Sequence, residues 1–469
     1  MSVPVLMLAT PFVAALIVYV LQRWRWAQAI IAAAVCAVLA LLALQIPLDQ
    51  VAVFAGRDVT FQGTWSVLGR AFTFAPENRP ALTFIYVASM FFFAGAGAAK
   101  VPSAFLPAGL LSVSLLTATL FVQPFLFAAL FLEMLAAVSV LMLSDDDHPF
   151  TRGSLRLLVF VTLGVPFILL AGWQIEGATS SPDDLTFLTR ATVLLDIGLL
   201  ILLAILPFHS WIPTVAEESS PYAAAFVFTV VQMAVMFFML NFFNQYAWLR
   251  SPTPTQFAAL RFAGAAMVIG GGAFAFAQRR FGRLMGYAVM VDIGAAMLAV
   301  GLGTADSLRA ALVIVALRGI GLSVWGMGLG WLRANAKDST DFDDLVGKAW
   351  QFPFASIAVV IGGLSLAGLP LTAGFVGRWA LYRQLAVSDY GFAIALLVAS
   401  GSVMLAYARG AASLFKRTST DEAFAIQDDQ VAVVFLAIGV AVILFVGLFP
   451  QTILPAVTQA AGAFKSLVK

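Results

Sequence analysis

Cysteine occurs once in this chain, at Cys36, and histidine twice, at His148 and His209. One thiol cannot build an iron–sulfur cluster or an intrachain disulfide. No pair of histidines within the apolar runs is there to hold a haem. A chain with no cofactor of its own is expected, so electrons handled by any redox enzyme it serves would travel through other subunits. Charge is scarce as well. Asp, Glu, Lys and Arg make up 11% of the residues, against roughly 25% in soluble proteins. The net charge of +2 gives no basis for a nucleic-acid partner. No Ser/His/Asp set, metal-ligand cluster or phosphate-binding glycine loop is visible, which argues against a stand-alone enzyme.

What is present is apolar. Hydrophobic residues make up 62% of the chain, and the mean hydropathy is +0.97. The apolar runs last about twenty residues, the length that crosses a bilayer as helix. A β-barrel would alternate over about ten. The expected fold is therefore an all-α integral membrane protein, surrounded by lipid, with about fourteen transmembrane helices. The spans fall at roughly 3–22, 27–45, 80–99, 103–122, 124–143, 155–175, 191–207, 221–243, 256–277, 284–303, 307–332, 351–382, 390–414 and 431–450 on that length criterion. The first span reads as a membrane helix, not a cleaved leader, because it lacks a basic start and a second span follows at once. The stretch 46–79 is the longest loop and has room for a short hairpin. The acidic run Asp338 to Asp344 reads as a solvated loop. Glycines 270–272 lie inside a span, where small residues let helices approach.

Basic residues such as Arg23, Lys100, Arg152, Arg279, Arg333 and Lys416 fall in or beside loops that follow odd-numbered spans. The loops after even-numbered spans have fewer and include the acidic stretch Glu176 to Asp184. The positive-inside rule then puts both termini on the non-cytoplasmic side.

Two spans are broken near their ends by related patterns. One reads Pro207-Phe208-His209-Ser210-Trp211-Ile212-Pro213, the other Gly368-Leu369-Pro370-Leu371-Thr372-Ala373-Gly374-Phe375. Discontinuous helices at matching places in two halves mark an ion-transporting protein built from inverted repeats. The expected organisation is three N-terminal helices in 1–100, five-helix repeats in 101–245 and 246–418 with broken helices 7 and 12, and a last helix in 419–469.

Charges inside apolar runs are costly and are functional candidates by default. Glu133, Asp196, Asp292, Arg318 and Arg378 are such residues. A carboxylate in apolar surroundings can trade protons near neutral pH, which suits a proton relay. A buried acid–Arg pair that only holds helices together is the alternative for Asp292 and Arg318.

The motifs Pro207 to Pro213, Gly282-Arg283-Leu284-Met285-Gly286-Tyr287 and Gly362 to Arg378 resemble the antiporter-like membrane subunits of respiratory complex I and of multi-subunit cation/proton antiporters. The resemblance covers roughly spans four to thirteen and is nearest to N-type or D-type subunits. It implies a proton-path role for Glu133, which matches a family glutamate, and a bacterial-type inner membrane. It also implies partners in a membrane arm and redox subunits elsewhere in the complex. The departures are specific. Leu202 stands where the family has a lysine, and Val227 and Ile314 where it has histidines. Arg318 and Arg378 replace ionisable lysine or glutamate, and Asp292 takes a position often held by a polar residue or histidine. Lysine releases a proton readily when buried, whereas arginine stays protonated. Three functions follow: a membrane-arm subunit of a proton-translocating NADH (or other donor):quinone oxidoreductase, a non-pumping structural paralogue, or a subunit of a cation/proton antiporter or bicarbonate-uptake complex.

Overall fold

In lipid every backbone polar group needs an internal partner, and helices supply it. The computed structural model describes residues 2–48, 51–54, 57–144, 150–180, 185–246, 255–417 and 427–467. His148 and Asp184 lie outside the described residues. Each of the fourteen apolar segments holds helix. The first six hold α1 (Val3–Val20), α2 (Arg25–Gln45), α3 (Arg79–Ala96), α4 (Phe105–Phe121), α5 (Ala128–Leu143) and α6 (Arg152–Ser180). The seventh is divided into α7 (Leu185–Leu202) and α8 (Trp211–Glu218). The eighth runs as α9 (Pro221–Phe226), a π-helical turn over Val227–Val231, and α10 (Gln232–Gln245). Then come α11 (Thr255–Ala277), α12 (Phe281–Gly301) and α13 (Ala305–Ala334). The twelfth is divided into α14 (Pro353–Ala367) and α15 (Ala373–Ser388). The remaining helices are α16 (Tyr390–Leu414), α17 (Gln430–Leu448) and the short α18 (Leu454–Ala461). Eleven helical stretches among the described residues are long and apolar enough to cross a membrane.

Local chemistry sets several of the ends. Proline opens α1, α3, α9 and α14, where its missing N–H would have no helical partner anyway. A capping box starts α13: Ser307 N donates to Thr304 Oγ1 at 3.2 Å and Thr304 N to Ser307 Oγ at 3.1 Å. α6 runs further than its apolar core suggests. Glu176 lies within this helix, not in a loop, because glutamate and alanine extend a helix beyond the apolar span at little cost.

The helices form a packed centre and a lipid-facing ring. α10, α12 and α13 are buried around most of their circumference, whereas α1, α2, α6, α16 and α17 each leave a face open. Those open faces carry Phe12, Leu16, Trp173, Leu397 and Ile438. A soluble protein rarely leaves so large an apolar surface in water; lipid accounts for it. Glycines set the closest approaches. Gly271 faces the Tyr287 carbonyl and Val291, Gly272 faces Ala399, and Gly264 and Gly294 face each other's carbonyls. α11 thus lies directly on α12 and α16.

The long loop holds two antiparallel hairpins. β1 (Val51–Phe54) pairs with β2 (Arg57–Thr60), and β3 (Thr64–Val67) with β4 (Arg70–Thr73). β4 also pairs with β5 (Val122–Gln123), which ties the second hairpin to the end of α4.

Candidate functional site

Three charges that lie far apart in sequence converge in the packed centre. Asp292 comes from α12, Arg318 from α13 and Arg378 from α15, and all three are buried. Asp292 Oδ2 lies 2.9 Å from Arg318 Nε, and Asp292 Oδ1 lies 3.6 Å from Arg378 Nη2. The 2.9 Å contact is an ion pair without the alignment of a hydrogen bond. With Asp292 as carboxylate the triad holds one net positive charge, and a proton on Asp292 would raise that to two.

Backbone irregularities receive the guanidiniums. Arg378 Nη2 donates to the Leu366 carbonyl at 2.7 Å, in the last turn of α14, where the break frees acceptors. Arg318 Nη1 donates to the Phe228 carbonyl at 3.4 Å, inside the π-helical turn, whose register leaves carbonyls open to side chains. Arg378 Nη1 donates to Ser400 Oγ on α16. Tyr382 Oη donates to the same oxygen at 3.0 Å. Arg318 Nη2 and Arg378 Nε, both buried, have no acceptor among the described residues. Unmet charged donors in a low-dielectric interior favour water as partner. Sequence reasoning missed Ser400, Tyr382 and the π turn. A serine or tyrosine in an apolar run carries no signal of which charge it will meet.

Each break is braced by a neighbour. After α7 the backbone passes through Ala204 at φ 57° and Pro207 into a 3-10 turn over Phe208–Ser210. His209 stacks on Phe274 with ring centroids 5.9 Å apart, and its Nδ1 has no partner among the described residues. Pro213 lies against Gly286 so closely that a Cβ there would strike its backbone. The motifs around Pro213 and Gly286 are therefore two sides of one α8–α12 contact. Ions fix the far end of α8: Glu217 Oε1 lies 3.4 Å from Arg280 Nη1, and Thr340 Oγ1 donates to Glu217 Oε2 at 2.8 Å. Within the acidic loop Asp341 pairs with Arg280 at 3.3 Å and Asp338 with Arg333 at 2.7 Å. In the second break Gly368 adopts φ 80° with Arg378 packed on its Cα face. Pro370 is exposed, Leu371 follows at φ 73°, and Gly374 N donates to Ser365 Oγ at 3.2 Å.

Glu133 and Asp196 make no hydrogen bond or ion pair to the triad. Glu133 is half-buried on α5 beside the exposed Leu130 and Met134, without a polar partner among the described residues. Asp196, half-buried on α7, faces Gln256 of α11; with its amide turned to donate, that side chain lies 2.7 Å from Asp196 Oδ1. Apolar packing fills the departed positions. Leu202 lies against Gly164, Ile314 against Gly377, and Val227 is fully buried at the start of the π turn.

Residues 156–406, more than half of the chain, match the family described as NADH:quinone oxidoreductase/Mrp antiporter, TM. The chain belongs to this family. The matched stretch contains the triad and both breaks; Glu133 lies outside it. Within the family, NADH-quinone oxidoreductase subunit N from Cereibacter sphaeroides is 28% identical over 346 residues, 71% of this chain and 74% of the relative. NADH-quinone oxidoreductase subunit N from Methylobacterium nodulans is 28% identical over 270 residues, 55% of this chain and 55% of the relative. Solved structures share the fold across nearly the whole chain. A chain of an archaeal membrane-bound sulfane sulfur reductase superposes with a TM-score of 0.80 at 18% identity, covering 98% of this chain and 97% of that one. A chain of respiratory complex I from Thermus thermophilus gives 0.75 at 21% identity, covering 98% and 100%.

Proposed function

We propose that this family member is a membrane-arm subunit of a proton-translocating oxidoreductase of the NADH-quinone oxidoreductase type. The buried Asp292–Arg318–Arg378 triad at the second helix break carries this proposal, because charge held at mid-membrane depth is costly and serves ion movement. The subunit N relative and the complex I fold support it. In this proposal the chain holds no redox cofactor, and redox subunits elsewhere drive it through the membrane arm. Residues 101–245 and 246–418 act as inverted repeats within about fourteen spans. Glu133, Asp196 and Asp292 are the titratable stations. Arg318 and Arg378 act as fixed positive charges that orient water and hold a carboxylate, since arginine does not release its proton. The test is proton stoichiometry: Glu133→Gln lowers the protons moved per electron pair by the assembled complex while assembly survives. An unchanged stoichiometry in a fully assembled complex would defeat the transport role.

One observation favours a second reading, a structural or coupling subunit that does not pump. Leu202, Val227 and Ile314 are packed in apolar surroundings, so three stations of the family's path have no titratable group.

The proposed location is a bacterial-type inner membrane with both termini on the non-cytoplasmic side. In intact cells Lys337→Cys should be shielded from a membrane-impermeant thiol reagent and Ser66→Cys open to it. Both positions are exposed on the chain itself, so the reverse pattern would invert the topology.

A further inference from the structure

A cavity of about 600 Å3 lies between α3, α13, α17 and α18. Its walls are largely apolar, and Ala88 and Val442 line it from α3 and α17. Arg79, at the start of α3, lines it together with Thr452 and Gln459 of the C-terminal segment. The lining continues along α3 to Gly95, which at 1.5 Å per residue is about 24 Å of helix.

Arg79 bonds backbone carbonyls and not carboxylates among the described residues. Its Nη1 donates to the Ala43 and Leu44 carbonyls at 3.1 and 2.9 Å, and its Nη2 to Ile46 at 2.7 Å. These bonds cap α2 and leave two of the five guanidinium N–H groups without an acceptor among the described residues. No Asp or Glu pairs with Arg79 among the described residues.

We propose that this cavity holds one membrane phospholipid, an acyl chain lying along α3 and the phosphate meeting Arg79. A flexible apolar chain restores the dispersion contacts that empty walls forfeit, and the Arg79 N–H groups that lack an acceptor among the described residues match an anionic phosphate. This inference stands apart from the transport proposal.

Native mass spectrometry of the purified protein, with the subunits that accompany it, reads the bound lipid. Ala88→Trp and Val442→Trp fill the cavity from different walls, and each should lower phospholipid occupancy at least tenfold. Delipidated wild-type protein titrated with dioleoyl phosphatidylglycerol should gain in thermal midpoint, and Arg79→Gln should weaken that titration tenfold. Unchanged occupancy in a folded tryptophan variant would overturn the proposal. So would a partner's transmembrane segment seated in the cavity. If neither tryptophan variant folds, the wild-type titration decides alone, and an unmoved midpoint at saturating lipid overturns it.

Discussion

Asp292→Asn should cost the folded chain about 3–5 kcal/mol, the usual penalty for leaving a buried charge without its partner. Asparagine has nearly the shape of aspartate, so no cavity accompanies the change and the loss is electrostatic. Two buried guanidiniums would remain, with no other carboxylate paired to them among the described residues. A protein with about 5–15 kcal/mol of total stability would lose a large part of it. The measurement is the thermal midpoint of the purified protein in mild detergent, beside its steady-state level in the membrane. Arg318→Met is the informative companion. It leaves Asp292 balanced by Arg378, one charge against one, so its cost should be clearly smaller. Equal costs for the two variants would mean that the triad's charge balance is not what holds these helices, and a wild-type midpoint for Asp292→Asn would remove the triad from the stability of the centre altogether.

Gly374→Ala should cost about 1–3 kcal/mol or more, the range for forcing extra atoms into a packed interior. The upper end is expected because the obstacle is backbone. A Cβ at Gly374 would fall inside the van der Waals envelope of the Ser365 carbonyl oxygen, and a carbonyl in a helix end cannot swing aside as a side chain can. Relief would have to come from moving α15 away from α14, which would carry Arg378 away from Leu366 and Asp292. The damage should therefore appear both as a lowered thermal midpoint and as lost transport in the assembled complex. Gly401→Ala is the matched control on α16, since nothing lies within 4 Å of the added Cβ. Replacing a mid-helix glycine by alanine typically gains about 0.5–1 kcal/mol. Opposite signs for the two variants are expected; a loss at Gly401 as large as at Gly374 would point to glycine content, not the break, as the cause.

The fold class was legible because the bilayer imposes a simple rule. Runs of about twenty apolar residues must be helical, and each of those runs holds helix in the structure. The hairpin in the loop 46–79 was legible only as room for one. The pairing of β4 with β5 joins residues about fifty apart, and no local pattern encodes such a partner. The π turn at Val227–Val231 escaped as well. Its sequence is an ordinary apolar run, and the extra residue in its register is accommodated by what packs around it.

By itself the sequence determined that this chain lives in a membrane, where its helices run, and which residues are costly enough in lipid to need a reason for being there. Those properties depend on composition and local order, which one chain displays without its partners in space. It presented Asp292, Arg318 and Arg378 as separate charges on separate spans. Only the tertiary structure decided that they share one site, that Ser400 and the freed carbonyls of Leu366 and Phe228 receive them, and that Glu133 and Asp196 do not bond to it. Side-chain meetings of this kind are set by how helices rotate and cross, and those angles follow from the packing of the whole bundle.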